Sequence, residues 1–253
     1  MKTKIYINNE KIIAGITLKD ETEPESNNMA LHVCSNTDDI LKNRRKLSNL
    51  LDCRLHDFVC CNQTHSSNFC RVSLSDKGRG ATNMNTAIKD TDAMYTYEPN
   101  LLLCCFTADC VPVIIYNQVT DLIGVIHSGW QGTVKEITTK VLKHLIQFEQ
   151  CNPDDINVYI GTALSQSKFE VDEDVYIQFR NLGYANDFIY YNDQTKKYHI
   201  DNQQTVFKQC ELNGIEADRI TIDRTCTYMN PEGFSYRQNK KSGRHMNFIM
   251  KKR

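Results

Sequence analysis

Tryptophan is nearly missing from this chain: Trp130 stands alone among 253 residues. Proline and glycine are also sparse, at five and eleven, which excludes collagen-like and low-complexity classes. No apolar run approaches the roughly 18 residues of a membrane-spanning helix. No excess of charge exists either. The net charge is −1, so neither a nucleic-acid nor a membrane-surface partner is expected. The start, MKTKIYINNEKIIAGI, carries charge but no long apolar segment of the secretory kind. The eleven cysteines are odd in number and contain no Cys-x-x-Cys pair. Several lie inside apolar runs (FVCC, LLLCCF), where a free thiol behaves as a small hydrophobe. A disulfide framework is therefore not expected, and a cytoplasmic location is. Oligomeric state, monomer or homodimer, is left open.

What is present is an ordinary globular composition with no internal repeat. Apolar or alternating runs predict strands at Ile5–Asn8, Ala30–Cys34, Phe58–Cys61, Leu101–Phe106, Pro112–Tyr116, Leu122–His127, Val158–Ile160, Ile220–Ile222 and Met246–Met250. Helical spacing predicts Thr37–Leu51, Thr133–Phe148, Asp172–Leu182 and Asp201–Asn213. The last has a capping signal at Asp201 and Gln204, with Gly214 beyond its end. Strands and helices mix without strict alternation. The expected fold is one α/β domain over residues 1–253, a layered sandwich with a mixed central sheet flanked by helices.

Candidate chemistry gathers in TADCVPVIIYNQVTDLIGVIHSGWQGT, residues 107–133. Two strands joined by the turn YNQVTD put Cys110 and His127 near the same end of an antiparallel pair. His65, in CNQTHSSNF, is a third candidate after an earlier strand. One Cys and two His suit Zn²⁺ with a fourth position open; thiolate and imidazole also suit copper. Residues of these types at strand edges are more often packing or hydrogen-bonded groups, and spacing alone does not separate the readings. Gly129 and Gly132 open the predicted helix at residue 133, where backbone N–H groups can face an anion; a turn that merely needs glycine is the plainer alternative. Arg237 in FSYR, and less so Arg244, can clamp phosphate or carboxylate. Asp109 can orient a ligand histidine or take a proton.

These segments resemble the laccase-domain (YfiH-type) family, known as polyphenol oxidases and as purine nucleoside phosphorylases. The resemblance runs through NNMALHV and NRRKL (Asn28, His32, Val33, Asn43, Arg44), QTHSSNFCRV, DAMYTYEPNLLLCCFTADCVPVII, GVIHSGWQGT and the close CTYMNPEGFSYRQNKKSGRHMNFI. It implies a zinc ion on His65, Cys110 and His127. It implies phosphorolysis of adenosine, inosine, guanosine and methylthioadenosine, with adenosine deamination in the same pocket. Cys110, His127, Asp109 and Arg237 are then the catalytic candidates; Asn28, Gly129, Gly132 and Arg237 fall on the substrate and phosphate side, with Lys19 a weaker candidate. The chain departs from the family pattern in two segments. GITLKDETEPE lacks the family's glycines beyond Gly15 and has Lys19 where Arg is usual. GTALSQSKFEV has Thr162 for Pro and Lys168 for Cys.

Three rival readings stand beside this one. A copper-dependent phenol oxidase of the multicopper kind needs many histidines, commonly in His-x-His pairs; this chain has seven and no such pair. A cysteine hydrolase would use Cys110 as nucleophile and His127 as base. A non-enzymatic metal-binding protein would turn over no nucleoside.

Overall fold

The computed structural model describes residues 1–252. Two sheets pack face to face, with strands numbered in chain order. One has the order β1 (Thr3–Asn8), β2 (Ile12–Thr17), β14 (His245–Lys251), β6 (Leu102–Thr107), β3 (Phe58–Cys60). The other runs β13 (Ile220–Ile222), β9 (Ile156–Ile160), β7 (Val111–Asn117), β8 (Leu122–Ser128), β5 (Ala93–Thr96), β4 (Phe69–Arg71). Each mixes parallel and antiparallel pairs. The mixed, layered α/β architecture is the one expected, with two large sheets at its centre.

Alternate side chains of one strand point to opposite faces, and here both faces are covered. On β7, Ile114 packs between the sheets, while Val113 and Ile115 face the helices α3 (Ile137–Gln147) and α5 (Asn202–Glu211). On β6, Leu103 and Cys105 enter the inter-sheet core; Leu102, Cys104 and Phe106 pack on the side of α1 (Thr37–Leu50). Double coverage explains why these strands are continuous apolar runs rather than alternating ones. It also explains the buried cysteines, which serve as compact core residues. A smaller lobe joins the sheet β10 (Glu170–Val171), β12 (Lys197–Ile200), β11 (Ile189–Asn192) to α4 (Glu173–Arg180) and α2 (Trp130–Val134). Among the described residues, no helix is long and apolar enough to cross a membrane.

Two expected elements differ. Ala30–Cys34 is not a strand; Leu31–Val33 form a short 3₁₀ turn. Its polar backbone is met by side chains instead of a ladder: Asn28 Nδ2 donates to the Val33 carbonyl, and Glu25 accepts from the Ser35 and Asn36 amides. The helix expected over Thr133–Phe148 is broken. Glu136 takes a left-handed conformation at φ 58°, so α2 ends and α3 begins in a new direction. Tertiary partners hold the break. Gln209 donates to the Thr133 carbonyl, Lys135 Nζ to the His65 carbonyl, and Tyr184 to the Glu136 carboxylate. At α5 the capping signal is real: Asp201 accepts from the Gln204 amide at 2.7 Å, and Gly214 follows the helix at φ 86°.

Candidate active site

The β7–β8 hairpin pairs Val111 with Ser128 and Pro112 with His127. Cys110 and His127 are thereby fixed at the same end of the sheet. His65 arrives on a separate segment. Gln63 exchanges two hydrogen bonds with the backbone of Phe106, donating to its carbonyl at 2.9 Å and accepting from its amide at 2.7 Å. This stitches residues 62–66 to the end of β6. The ligand-type atoms of His65, Cys110 and His127 all lie within 4.8 Å of one another.

The separation can be tested against a metal. Zn–S and Zn–N bonds of about 2.3 and 2.05 Å at a tetrahedral angle set S and N roughly 3.6 Å apart. Cys110 Sγ lies 3.7 Å from His65 Nε2. A thiol and two imidazoles at this spacing fit a zinc ion with one position left for substrate. Among the described residues this is the one such group of three or more donors, so the dense imidazole array of a multicopper centre is not here.

A single carboxylate organises the site. Asp92 Oδ1 lies 2.8 Å from His127 Nδ1, which leaves Nε2 to face Cys110 and His65. The same carboxylate accepts from the backbone amides of Thr64, His65 and Ser66 and from the Ser66 hydroxyl. Its own backbone carbonyl accepts from the His127 amide at 2.7 Å. Both histidine-bearing segments therefore hang on Asp92. Burial pushes its carboxyl pKa up, but the His127 ring and the Ser66 donors outweigh that and hold it at about 2. Sequence reasoning assigned this orienting role to Asp109 and missed Asp92. The trace of it was in DAMYTYEPN, whose first residue it is; nothing local marks that residue as a partner of His127.

Asp109 does something else. Its carboxylate accepts from Thr227 Oγ1 at 2.6 Å, Ser235 Oγ at 3.0 Å and the Arg237 amide at 2.6 Å, and makes no hydrogen bond to His65 or His127. It ties the loop of residues 223–244 to the sheet end. Asp109 has φ 87° and His65 φ 58°. Left-handed conformations cost a non-glycine residue of order 1–3 kcal/mol, and here both sit at the donor cluster, held by these hydrogen bonds. The loop has two further anchors. Asn28 Oδ1 accepts from the Arg244 amide at 2.9 Å, and His245 Nε2 accepts from the Phe234 amide at 2.7 Å. Buried and beside Arg244, His245 is held neutral with its pKa near 4.

The cluster forms part of the lining of a cavity of about 650 Å³, within the range of small-molecule pockets. Trp130, Phe169, Val171 and Val175 supply an apolar wall; Arg237 and Arg244 bring positive charge. Arg237 also donates to the Glu170 carbonyl at 2.8 Å. Three expected substrate contacts do not line the cavity. Asn28 is buried and spends its carboxamide on Val33, Glu25, Ala30 and Arg244. Gly132 is buried inside α2. Gly129 matters for space: a Cβ there would stand 2.5 Å from His65 Cδ2 and 3.0 Å from Cys110 Sγ. Lys19, the weaker candidate, pairs with Glu21 instead.

In the metal-free protein, Cys110 and His127 each favour the other's charged form. Burial alone would push the thiol up and the imidazole down. Their mutual charge reverses both, with help from His65 on the thiol and Asp92 on the imidazole, leaving Cys110 at about 6 and His127 at about 9. In metal-stripped protein, iodoacetamide labelling of Cys110 should therefore rise through pH 6, below the usual thiol range near 8.5. Adding zinc should suppress it and release the His127 proton at pH 7. Peptide mass spectrometry across pH checks the first; a midpoint near 8.5 would refute the pairing.

Residues 18–252 match the family described as multi-copper polyphenol oxidoreductase laccase. A Bacillus subtilis protein named purine nucleoside phosphorylase YlmD is 35% identical over 248 residues, covering 96% of this chain and 89% of that protein. The crystal structure of YlmD from Geobacillus stearothermophilus superposes with a TM-score of 0.90 at 30% identity, over 96% of this chain and 92% of that one. A Bacillus licheniformis protein titled hypothetical protein YfiH superposes at 0.89 with 32% identity, over 94% and 92% of the two chains.

Proposed function

The chain belongs to the polyphenol oxidoreductase laccase family, and on that premise we propose that it is a zinc-dependent purine nucleoside phosphorylase. The observation that carries the reading is the His65–Cys110–His127 group, oriented by Asp92 and opening into a cavity large enough for a nucleoside, with two arginines in its lining. The name carried by the Bacillus subtilis relative supports it. Adenosine, inosine, guanosine and methylthioadenosine are the proposed substrates, and adenosine deamination a second activity of the same cavity. Free thiols at all eleven cysteines suit the reducing cytoplasm we assign.

A zinc ion in this donor set supplies a Lewis acid at the cavity wall, able to polarise a reacting group brought against it. The chain's own residues do the rest. Asp92 holds His127 in the tautomer that presents Nε2 to the cluster. The apolar wall excludes water from the base and sugar. Arg237 and Arg244 hold phosphate for attack at C1′ as positive charge builds on the sugar. Asp109 positions Arg237 by gripping its backbone amide.

The test is an incubation of purified protein with adenosine or inosine, with and without phosphate, read by chromatography. Free base and ribose 1-phosphate should form only with phosphate. Base release without phosphate, or none at all, would remove the phosphorylase reading. Arg237→Ala should raise the phosphate KM about tenfold or more by deleting a charged hydrogen bond. Asp109→Ala should raise it too through the freed loop, with metal content unchanged. Steady-state kinetics at varied phosphate checks both, and an unmoved KM would take Arg237 out of the phosphate site.

A further inference from the structure

Two arginines at one end of the cavity carry charge that no carboxylate meets. Arg44 is fully buried. Its guanidinium makes four hydrogen bonds to the carbonyls of Met29, Gly80 and Ala81, and no acid pairs with it among the described residues. A buried cation without a counter-charge is costly and favours an anion nearby. Arg244, in the cavity lining, donates to the carbonyls of Ser242 and Gly243 and lies over the Tyr236 ring at 5.6 Å. Asp109 acts on it only at a distance, with its oxygens taken by Thr227, Ser235 and the Arg237 amide. Both charges act on His32. This residue sits in the 3₁₀ turn Leu31–Val33, remains exposed, and lines the same cavity as the donor group. Its ring meets Phe106 edge-on with centroids 6.2 Å apart, and Arg44 Cζ lies 5.1 Å from the centre of the same Phe106 ring. Asn28 ties the turn to Arg244, donating to the Val33 carbonyl and accepting from the Ala30 and Arg244 amides. Neither ring nitrogen of His32 has a hydrogen-bond partner among the described residues. Partial burial, then the Arg244 and Arg44 charges, hold the imidazole neutral with its pKa at about 4. The ring therefore brings one N–H donor and no charge to the cationic end of the cavity.

We infer that His32 is a further phosphate-binding residue, donating one ring N–H to an oxygen of the phosphate held by Arg244. The inference rests on the phosphorylase reading above and adds a residue to its phosphate site. The charges choose the ligand. Guanidinium groups without carboxylate partners favour the one anion among the reactants, while the nucleoside is uncharged. A neutral donor adds a hydrogen bond there without repelling Arg244. The other acids of the lining, Glu170, Asp172 and Asp174, come from β10 and the start of α4 in the small lobe.

Phosphate affinity of the zinc-loaded protein can be read from the rise in melting temperature with inorganic phosphate. Inosine affinity, in the absence of phosphate, can be read from the fluorescence of Trp130, the single tryptophan, which lines the same cavity. His32→Phe keeps a ring against Phe106 and removes the donor. It should weaken phosphate binding at least about tenfold, the worth of a hydrogen bond to a charged group, and leave inosine binding unchanged. His32→Ala carries the same expectation if the phenylalanine variant does not fold. His32→Asn and His32→Gln place an amide N–H near the positions of Nδ1 and Nε2, and one of them should restore most of the phosphate affinity. Unchanged phosphate affinity without the ring nitrogens overturns the inference, as does a wild type that phosphate does not stabilise. A loss confined to inosine would put His32 at the base or sugar, and a loss for both ligands alike would mean packing; either overturns it. Rescue by neither amide overturns it too. Turnover separates this from the parent reading. A His32-dependent phosphate site without ribose 1-phosphate formation leaves the anion site standing and removes the phosphorylase. Phosphorolysis with a phosphate affinity indifferent to His32 does the reverse, and a wild type that neither binds phosphate nor forms ribose 1-phosphate overturns both.

Discussion

Asp92→Asn should lower zinc affinity by about 10- to 100-fold, the usual effect of losing a carboxylate behind a ligand histidine. Nucleoside turnover should fall with zinc occupancy. The cause is donor counting. In the wild type, two carboxylate oxygens accept from His127 Nδ1, three backbone amides and the Ser66 hydroxyl. An asparagine offers one acceptor and turns its Nδ2 donors toward donors. Buried amides are left unpaired, so stability should fall by about 3 kcal/mol, roughly 6–12 °C in a protein of this size. The acid limb of stability should change as well. Folding holds the Asp92 pKa near 2, below its unfolded value of about 3.9. A lowered folded value favours the charged form, so this stability is complete above about pH 4 and is lost as pH falls toward 2. Asp92→Asn removes that part of the acid limb. Isothermal titration with zinc and thermal melts between pH 3 and 7 check these outcomes; wild-type affinity in the variant would show that Asp92 does not hold the donor group.

Gly129→Ala should nearly abolish zinc binding while the protein stays folded. Gly129 has φ −63° and ψ 165°, a conformation any residue adopts, so alanine brings no backbone strain. Its methyl group, however, would lie 2.5 Å from the His65 ring and 3.0 Å from Cys110 Sγ. His65 cannot easily retreat, since Asp92 and Lys135 pin its backbone amide and carbonyl. Displacing one donor by about 1 Å leaves two ligands, and turnover should drop at least about 100-fold, as misplacement of that size can. Gly132→Ala is the control. Its Cβ would meet Ile137 Cγ2 at 3.4 Å, an ordinary packing contact, and zinc content should hold. Metal analysis and circular dichroism on both variants decide it. Equal zinc in Gly129→Ala and wild type would contradict the crowding argument.

The Gly129 case shows what a linear sequence hides. Gly-x-x-Gly before a helix invites an anion-binding reading. Only the fold reveals that the first glycine makes room for a side chain from another segment. The hairpin of β7 and β8 was legible, because long apolar runs around a polar turn admit few alternatives, and it carried the adjacency of Cys110 and His127. Strands β4 and β10 were not. They are very short edge elements whose pairing partners, β5 and β12, lie well away in the chain. The break at Glu136 carries no glycine or proline to announce it; Gln209, Tyr184 and Lys135 enforce it from outside. Asp92 was missed for the same reason. It is an unremarkable polar residue locally, and its partners are segments distant in sequence.

The most direct measurement is zinc content and phosphorolysis on one preparation, wild type beside Cys110→Ala and His65→Ala. The account predicts one zinc per wild-type chain, phosphate-dependent release of base from adenosine or inosine, and loss of both in each variant. Variants that cleave nucleosides at the wild-type rate without bound metal would contradict it.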